Sequence, residues 1–93
     1  MSSVRWGIEL MPSARRDLNR LKETAAAAVL ETIDHIADAP RRIGKPLRLE
    51  LEGLWSARRG SYRVLYRIDE GRRLIQIVTI DHRSDVYRRA RRG

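Results

Sequence analysis

Residues Ser61–Ile80 read SYRVLYRIDEGRRLIQIVTI, and the periodicity of this stretch decides the fold class. Two runs rich in β-branched and aromatic residues flank a turn at Asp69–Arg73, where Gly71 is free to take a positive φ. Side chains alternate along a strand, so Tyr62, Val64, Tyr66 and Ile68 share one face while Arg63, Leu65 and Arg67 share the other. The first set is a core face. The second is cationic, with Leu65 as an apolar patch or partial second core between two arginines. Leu74–Ile80 is apolar on both faces and belongs inside a sheet, one face under helices, with His82 just past its end.

Upstream, Leu54–Arg59 is separated from Ser61–Asp69 only by Gly60, so these strands form a meander. Leu54, Ser56 and Arg58 fall on one face of the earlier strand, and Trp55, Ala57 and Arg59 on the other. At least one of Arg58 and Arg59 therefore joins the Arg63 face. Before them, Arg41–Pro46 holds a glycine and a proline in a basic stretch and reads as a loop, leading into an extended segment near Leu47–Leu51.

The first half of the chain has a different period. Val4–Leu10 alternates weakly and reads as a strand. Pro12 and Ser13 then stand where a helix commonly starts, followed by Ala14, Leu18 and Leu21 on one face. After a break near Lys22–Thr24, Ala26, Val29, Leu30, Ile33, Ile36 and Ala37 repeat the helical spacing until Pro40 ends it. The expectation is an α+β domain spanning residues 1–93. A two-helix hairpin packs on a mainly antiparallel four-stranded sheet, in the order β-α-α-β-β-β, with a short C-terminal extension.

With 93 residues, 42% hydrophobic and 34% charged, the composition suits one globular domain, and no apolar run is long enough to span a membrane. The opening MSSVRWGIEL lacks a secretory apolar stretch, so the expected location is the cytoplasm. Having no cysteine, the chain carries no disulfide, thiolate nucleophile or cysteine-based zinc site. Two histidines, and no carboxylate pair suitably spaced near the arginines, predict no metal and no cofactor.

Twenty Lys+Arg against twelve Asp+Glu leave a net charge of +8, and eighteen of the twenty cations are arginine. Residues 1–53 hold nine cations and eight anions, whereas residues 54–93 hold eleven and four. Arginine's fork suits oriented phosphate, so a polyanion is the implied partner. The tail YRRARRG is equally compatible with a solvated end. Upstream of it, DHRSDVYRR gathers Asp81, His82, Arg83, Asp85 and Tyr87. Histidine suits acid or base work near neutral pH, arginine can stabilise a phosphorane, and tyrosine can stack on an unpaired base. Individually these residues also have structural explanations: a hydrogen-bonded His82, surface ion pairs of Asp81 and Asp85, a packing Tyr87. As a set beside a cationic face they favour chemistry on RNA.

The stretches PSARRDLNRL, GKPLRLELEGLWSARRGSYRVLYRI and IDHRSDVYRR together resemble the RelE/ParE superfamily of bacterial toxins, particularly its RelE branch. The resemblance implies a type II toxin that cuts messenger RNA in the ribosomal A site without metal, and an acidic antitoxin that wraps it in a complex able to bind operator DNA. It places phosphate binding and transition-state stabilisation on Arg63 and base stacking on Tyr87. Leu54 and Ser56 stand where the best-studied RelE enzymes carry lysines, and Asp81 stands where they carry an arginine. His82 and Arg83 are therefore candidates for catalysis by proximity, and Arg58, Arg59 and Arg67 for RNA binding. On the same fold, the alternatives are a ParE-like inhibitor of DNA gyrase and a non-catalytic RNA- or antitoxin-binding co-repressor.

Overall fold

The computed structural model describes residues 5–82. Its elements run β1 (Gly7–Leu10), α1 (Pro12–Arg20), α2 (Glu23–Asp38), α3 (Pro40–Ile43), β2 (Lys45–Pro46), a 3₁₀ turn (Leu49–Leu51), β3 (Trp55–Arg59), β4 (Tyr62–Asp69) and β5 (Leu74–His82). The strands form one sheet in the order β1-β5-β4-β3-β2, with β1 parallel to β5 and the other pairs antiparallel.

The helices cover one face of this sheet. On α2 the buried residues Val29, Thr32, Ile33, Ile36 and Ala37 form a stripe of helical period. Leu30, expected in that stripe, is exposed, and Thr32 fills the place by donating its hydroxyl to the Ala28 carbonyl at 3.1 Å. The stripe and Ala14 of α1 pack on Ala57, Val64, Tyr66, Ile75, Ile77 and Ile80. Each fully buried aliphatic side chain here contributes roughly 2 kcal/mol relative to exposure. On the opposite face, Leu65 and Leu54 bury each other with Leu47, Leu51 and Val78, which is the partial second core expected around Leu65.

Five local expectations are corrected. The sheet has five strands rather than four, because Lys45–Pro46 pairs with Ser56 and Trp55 at the edge. Within the stretch read as a loop, Pro40–Ile43 is a turn of helix, Pro40 occupying its first position. Leu49–Leu51 is a 3₁₀ turn instead of extended chain. Positive φ at Leu49 (60°) and Gly53 (95°) folds the segment back so that Leu47 and Leu51 both reach Leu65. At the β4–β5 turn the left-handed residue is Arg73 (φ 50°), whose guanidinium lies 4.4 Å from the centre of the Trp6 ring. β5 continues through His82, the register partner of Tyr62, rather than stopping at Ile80.

What carries β5 that far is α1. β1 ends at Leu10 opposite Ile77, leaving the outer edge of β5 without a strand beyond that point. Met11 N–H donates to the Ile77 carbonyl at 2.9 Å, and the Ser13 hydroxyl donates to the Val78 carbonyl. One helical turn later, Asp17 Oδ2 accepts from Ile80 N–H at 2.9 Å and from Thr79 Oγ1 at 3.2 Å. Asp17 is 3% exposed. A buried carboxylate is tolerated because it is bonded, with Arg20 Nη1 3.8 Å from its other oxygen. The Ser13/Asp17 pair, four residues apart on one helical face, thus takes over from β1 as the partner of β5. Asp17→Ala is expected to lower stability by about 2 kcal/mol through the orphaned Ile80 N–H, read as a lower urea midpoint. An unchanged midpoint would show that the edge is held otherwise.

Tyr66 makes the matching connection toward the opposite edge of the sheet, on the same helix-covered face. Its ring is fully buried and stacks on Trp55, and its hydroxyl donates to the Pro40 carbonyl at 2.6 Å. Burial pushes the phenol up to about 12, against a weaker opposing effect of a hydrogen bond from the Gly44 backbone. Since the folded value is raised, the associated stability is fully present below the ordinary value of 10.0 and is lost as pH rises toward about 12. Denaturation midpoints measured from pH 9 to 11 are expected to fall more steeply for the wild type than for Tyr66→Phe. Parallel curves would remove Tyr66 as the titrating group.

Candidate functional site

In an antiparallel ladder, directly opposed residues share a face. On the face away from the helices, Lys45, Ser56 and Leu65 make one row. Arg58 and Arg63 make the next, and the same register places Asp81 beside Arg63 in the backbone ladder. A groove of about 460 Å³ lies here, lined by Ile43, Lys45, Pro46, Leu47, Ser56, Arg58 and Arg63. One wall is apolar and the floor is cationic.

This placement separates the four arginines of Trp55–Ile68. Arg58 and Arg63 line the groove, with Arg63 Nε buried in its wall. Arg67 is exposed two positions beyond Leu65 on the same face, opposite Gln76 and outside the groove lining. Arg59 points the other way and pairs with Glu31 of α2 at 2.9 Å, so the structure does not bring it to the other three. Of the C-terminal candidates, His82 is placed only by its backbone pairing with Tyr62, and Arg83 and Tyr87 lie outside the described residues.

Elsewhere several arginines are matched by acids. Arg5 pairs with Asp34 and Asp38, Arg41 with Glu70, and Arg72 with Asp69 and Glu9. Among the described residues, Lys45, Arg58 and Arg67 have no carboxylate within 4.0 Å, which is also true of Arg15, Arg16 and Arg42 away from the groove. Like charges directly opposed across a ladder repel, so the Arg58–Arg63 pair is a point of the face where a bound anion is favoured. Planar guanidinium forks on one floor offer a phosphodiester several parallel N–H donors.

The sequence did not single out Lys45, Ile43, Pro46 or Leu47 as site residues. The only cue was a lysine between Gly44 and Pro46, in a segment that reads as a connection. Leu54 and Ser56, which take the places of the lysines in the resembled pattern, prove to be a member of the second apolar cluster and a groove-lining residue.

The family described as the ParE toxin of type II toxin–antitoxin systems, parDE, matches residues 8–87. The chain belongs to the RelE/ParE toxin superfamily. Toxin RelG of Mycobacterium tuberculosis is 48% identical over 85 residues, covering 90% of this chain and 98% of RelG. Toxin RelE of the same organism is 49% identical over 84 residues, covering 89% and 87%. Among solved structures, the M. tuberculosis RelBE2 toxin–antitoxin complex matches with a TM-score of 0.81 at 45% identity, over 85% of this chain and 99% of that one. The isolated E. coli RelE toxin shares the fold at a TM-score of 0.73 and 17% identity, over 91% and 94%.

Arg58 tests the superfamily member's groove most simply, being exposed and opposed to a like charge. Arg58→Gln is expected to leave the melting temperature unchanged or raise it, while heparin elution shifts to lower salt. A lower melting temperature with unchanged elution would make Arg58 structural.

Proposed function

We propose that this toxin is a ribosome-dependent endoribonuclease that cleaves messenger RNA in the A site. The observation that carries the reading is the opposed Arg58–Arg63 pair on the sheet face left open by the helices. The 2′-oxygen attacks the adjacent phosphorus as its proton leaves, and the 5′-oxygen departs with a proton gained. The products are a cyclic phosphate and a free 5′-hydroxyl. Arg63 binds the phosphate and stabilises the charge that grows on its oxygens. His82 and Arg83 are assigned to the proton transfers, Tyr87 to stacking on the substrate base, and Arg67 to general attraction of the RNA backbone. The ribosome fixes the message so that the 2′-oxygen lies in line, which lets modest protein groups suffice.

The proposed partner is an acidic antitoxin that orders itself over the basic face, its complex with the toxin also binding operator DNA. The RelBE2 relative was solved as a toxin–antitoxin complex, which supports an antitoxin as partner. No helix among the described residues is long and apolar enough to cross a membrane; the proposed action on ribosomes is what assigns the toxin to the cytoplasm. Because the matching family bears the ParE name, inhibition of DNA gyrase is the second reading.

Purified protein added to programmed ribosomes is expected to break the message at A-site codons, and Arg63→Ala to slow breakage by about 10²–10³ while the protein still folds. Intact message with arrested growth and loss of supercoiling would favour gyrase inhibition. Harmless expression would leave only the co-repressor.

A further inference from the structure

Lys45 is the groove cation that the proposed chemistry does not use. It belongs to a two-residue edge strand, yet its backbone is fixed from every side. Immediately before it, Gly44 sits under the Tyr66 ring: a Cβ at Gly44 would fall inside the hydroxyl's van der Waals envelope and lie 2.9 Å from Cζ and 3.1 Å from the Ser56 carbonyl oxygen. Immediately after it, Pro46 locks φ and, lacking an N–H, suits an edge strand. One residue further, Leu47 N–H donates to the Leu54 carbonyl at 2.9 Å. Directly opposed residues share a face, so Lys45 stands in the Ser56 row, one step along from Arg58 and Arg63. The side chain itself is exposed and has no carboxylate within 4.0 Å among the described residues. An ammonium on a long stem is a point charge that serves phosphate well once its root is held.

We propose that Lys45 is a substrate-contacting residue of the groove, binding a backbone phosphate of single-stranded RNA next to the one held by Arg58 and Arg63. The buried Tyr66–Gly44 contact is the positioning device that holds it there. The apolar wall of Ile43, Pro46 and Leu47 then lies beside the nucleotide between the two phosphates, excluding water from one side of it. This inference rests on the RNA reading of the site but not on cleavage.

The test uses a short unstructured RNA carrying 2′-O-methyl groups, which cannot be cleaved. Lys45→Ala is expected to weaken its binding roughly tenfold, the worth of one charge-assisted hydrogen bond, and to reduce the slope of log affinity against log salt by about 0.7. Lys45→Arg retains most of both. The chain's other lysine, Lys22, precedes α2 and is not among the groove-lining residues, so Lys22→Ala leaves both unchanged. Without any substitution, the RNA is expected to protect Lys45 but not Lys22 from amine acylation read by mass spectrometry. Equal acylation of both lysines, no binding of this RNA by the wild type, or an unchanged slope in Lys45→Ala overturns the inference. If the wild type binds through Lys45 but leaves message intact on programmed ribosomes, the nuclease reading fails and this one stands. If message is cut while Lys45→Ala matches the wild type in binding and rate, the reverse holds.

Discussion

The Tyr66 hydroxyl is the contact through which the buried side of the sheet controls its exposed side. A phenol within an apolar core needs a partner, and it finds the Pro40 carbonyl just past the end of α2. That bond fixes where the chain leaves the helical layer. The ring beneath it leaves room at Gly44 for a hydrogen only, so the backbone is drawn in close before turning outward as β2. Everything along that rim, including Ile43, Lys45, Pro46 and Leu47, takes its position from this approach. Groove geometry is thus a consequence of core packing, and a change in a residue with no access to solvent is felt at the surface.

A second constraint comes from the far side, where β1 is too short to accompany β5 to its end. Ser13 and Asp17 supply in side-chain form the hydrogen bonds that a longer strand would have supplied from its backbone. The helix is thereby fixed over β5, and the strand remains extended to the row in which Asp81 pairs with Arg63. α1 and Tyr66 hold the two margins of the same five-stranded sheet, leaving its helix-free face to carry charge between them.

The distribution of that charge distinguishes a binding face from mere arginine richness. A protein using arginine only for solubility has no reason to oppose two of them across the centre of a sheet. Here Glu31, Asp34, Asp38, Asp69 and Glu70 all engage arginines away from the groove. The Arg58–Arg63 row sets two guanidinium groups side by side on rigid strands, where an incoming phosphate can bridge them.

Much of this was legible from one dimension, because strand alternation and helical spacing are local properties. The core face of Tyr62, Val64, Tyr66 and Ile68, the opposite face of Arg63, Leu65 and Arg67, the second core at Leu65 and the helical stripe around Ile33 follow from spacing alone. What spacing leaves open is the partner of each residue, and the corrections that bear on the groove concern one. Alternation says that Arg58 and Arg59 face opposite ways, but only the pairing with β4 and the reach of Glu31 decide that Arg58 belongs to the groove. Lys45 reads as a loop residue because its strand consists of two residues, stabilised by a ladder and a tyrosine that lie far along the chain. Asp17 looks like one more charge on a solvated helix, and becomes a buried acceptor only because β1 stops short of it. The sequence by itself determined the α+β class and which faces are apolar or cationic; the tertiary structure decided which cations meet, since meeting depends on long-range pairing and not on period.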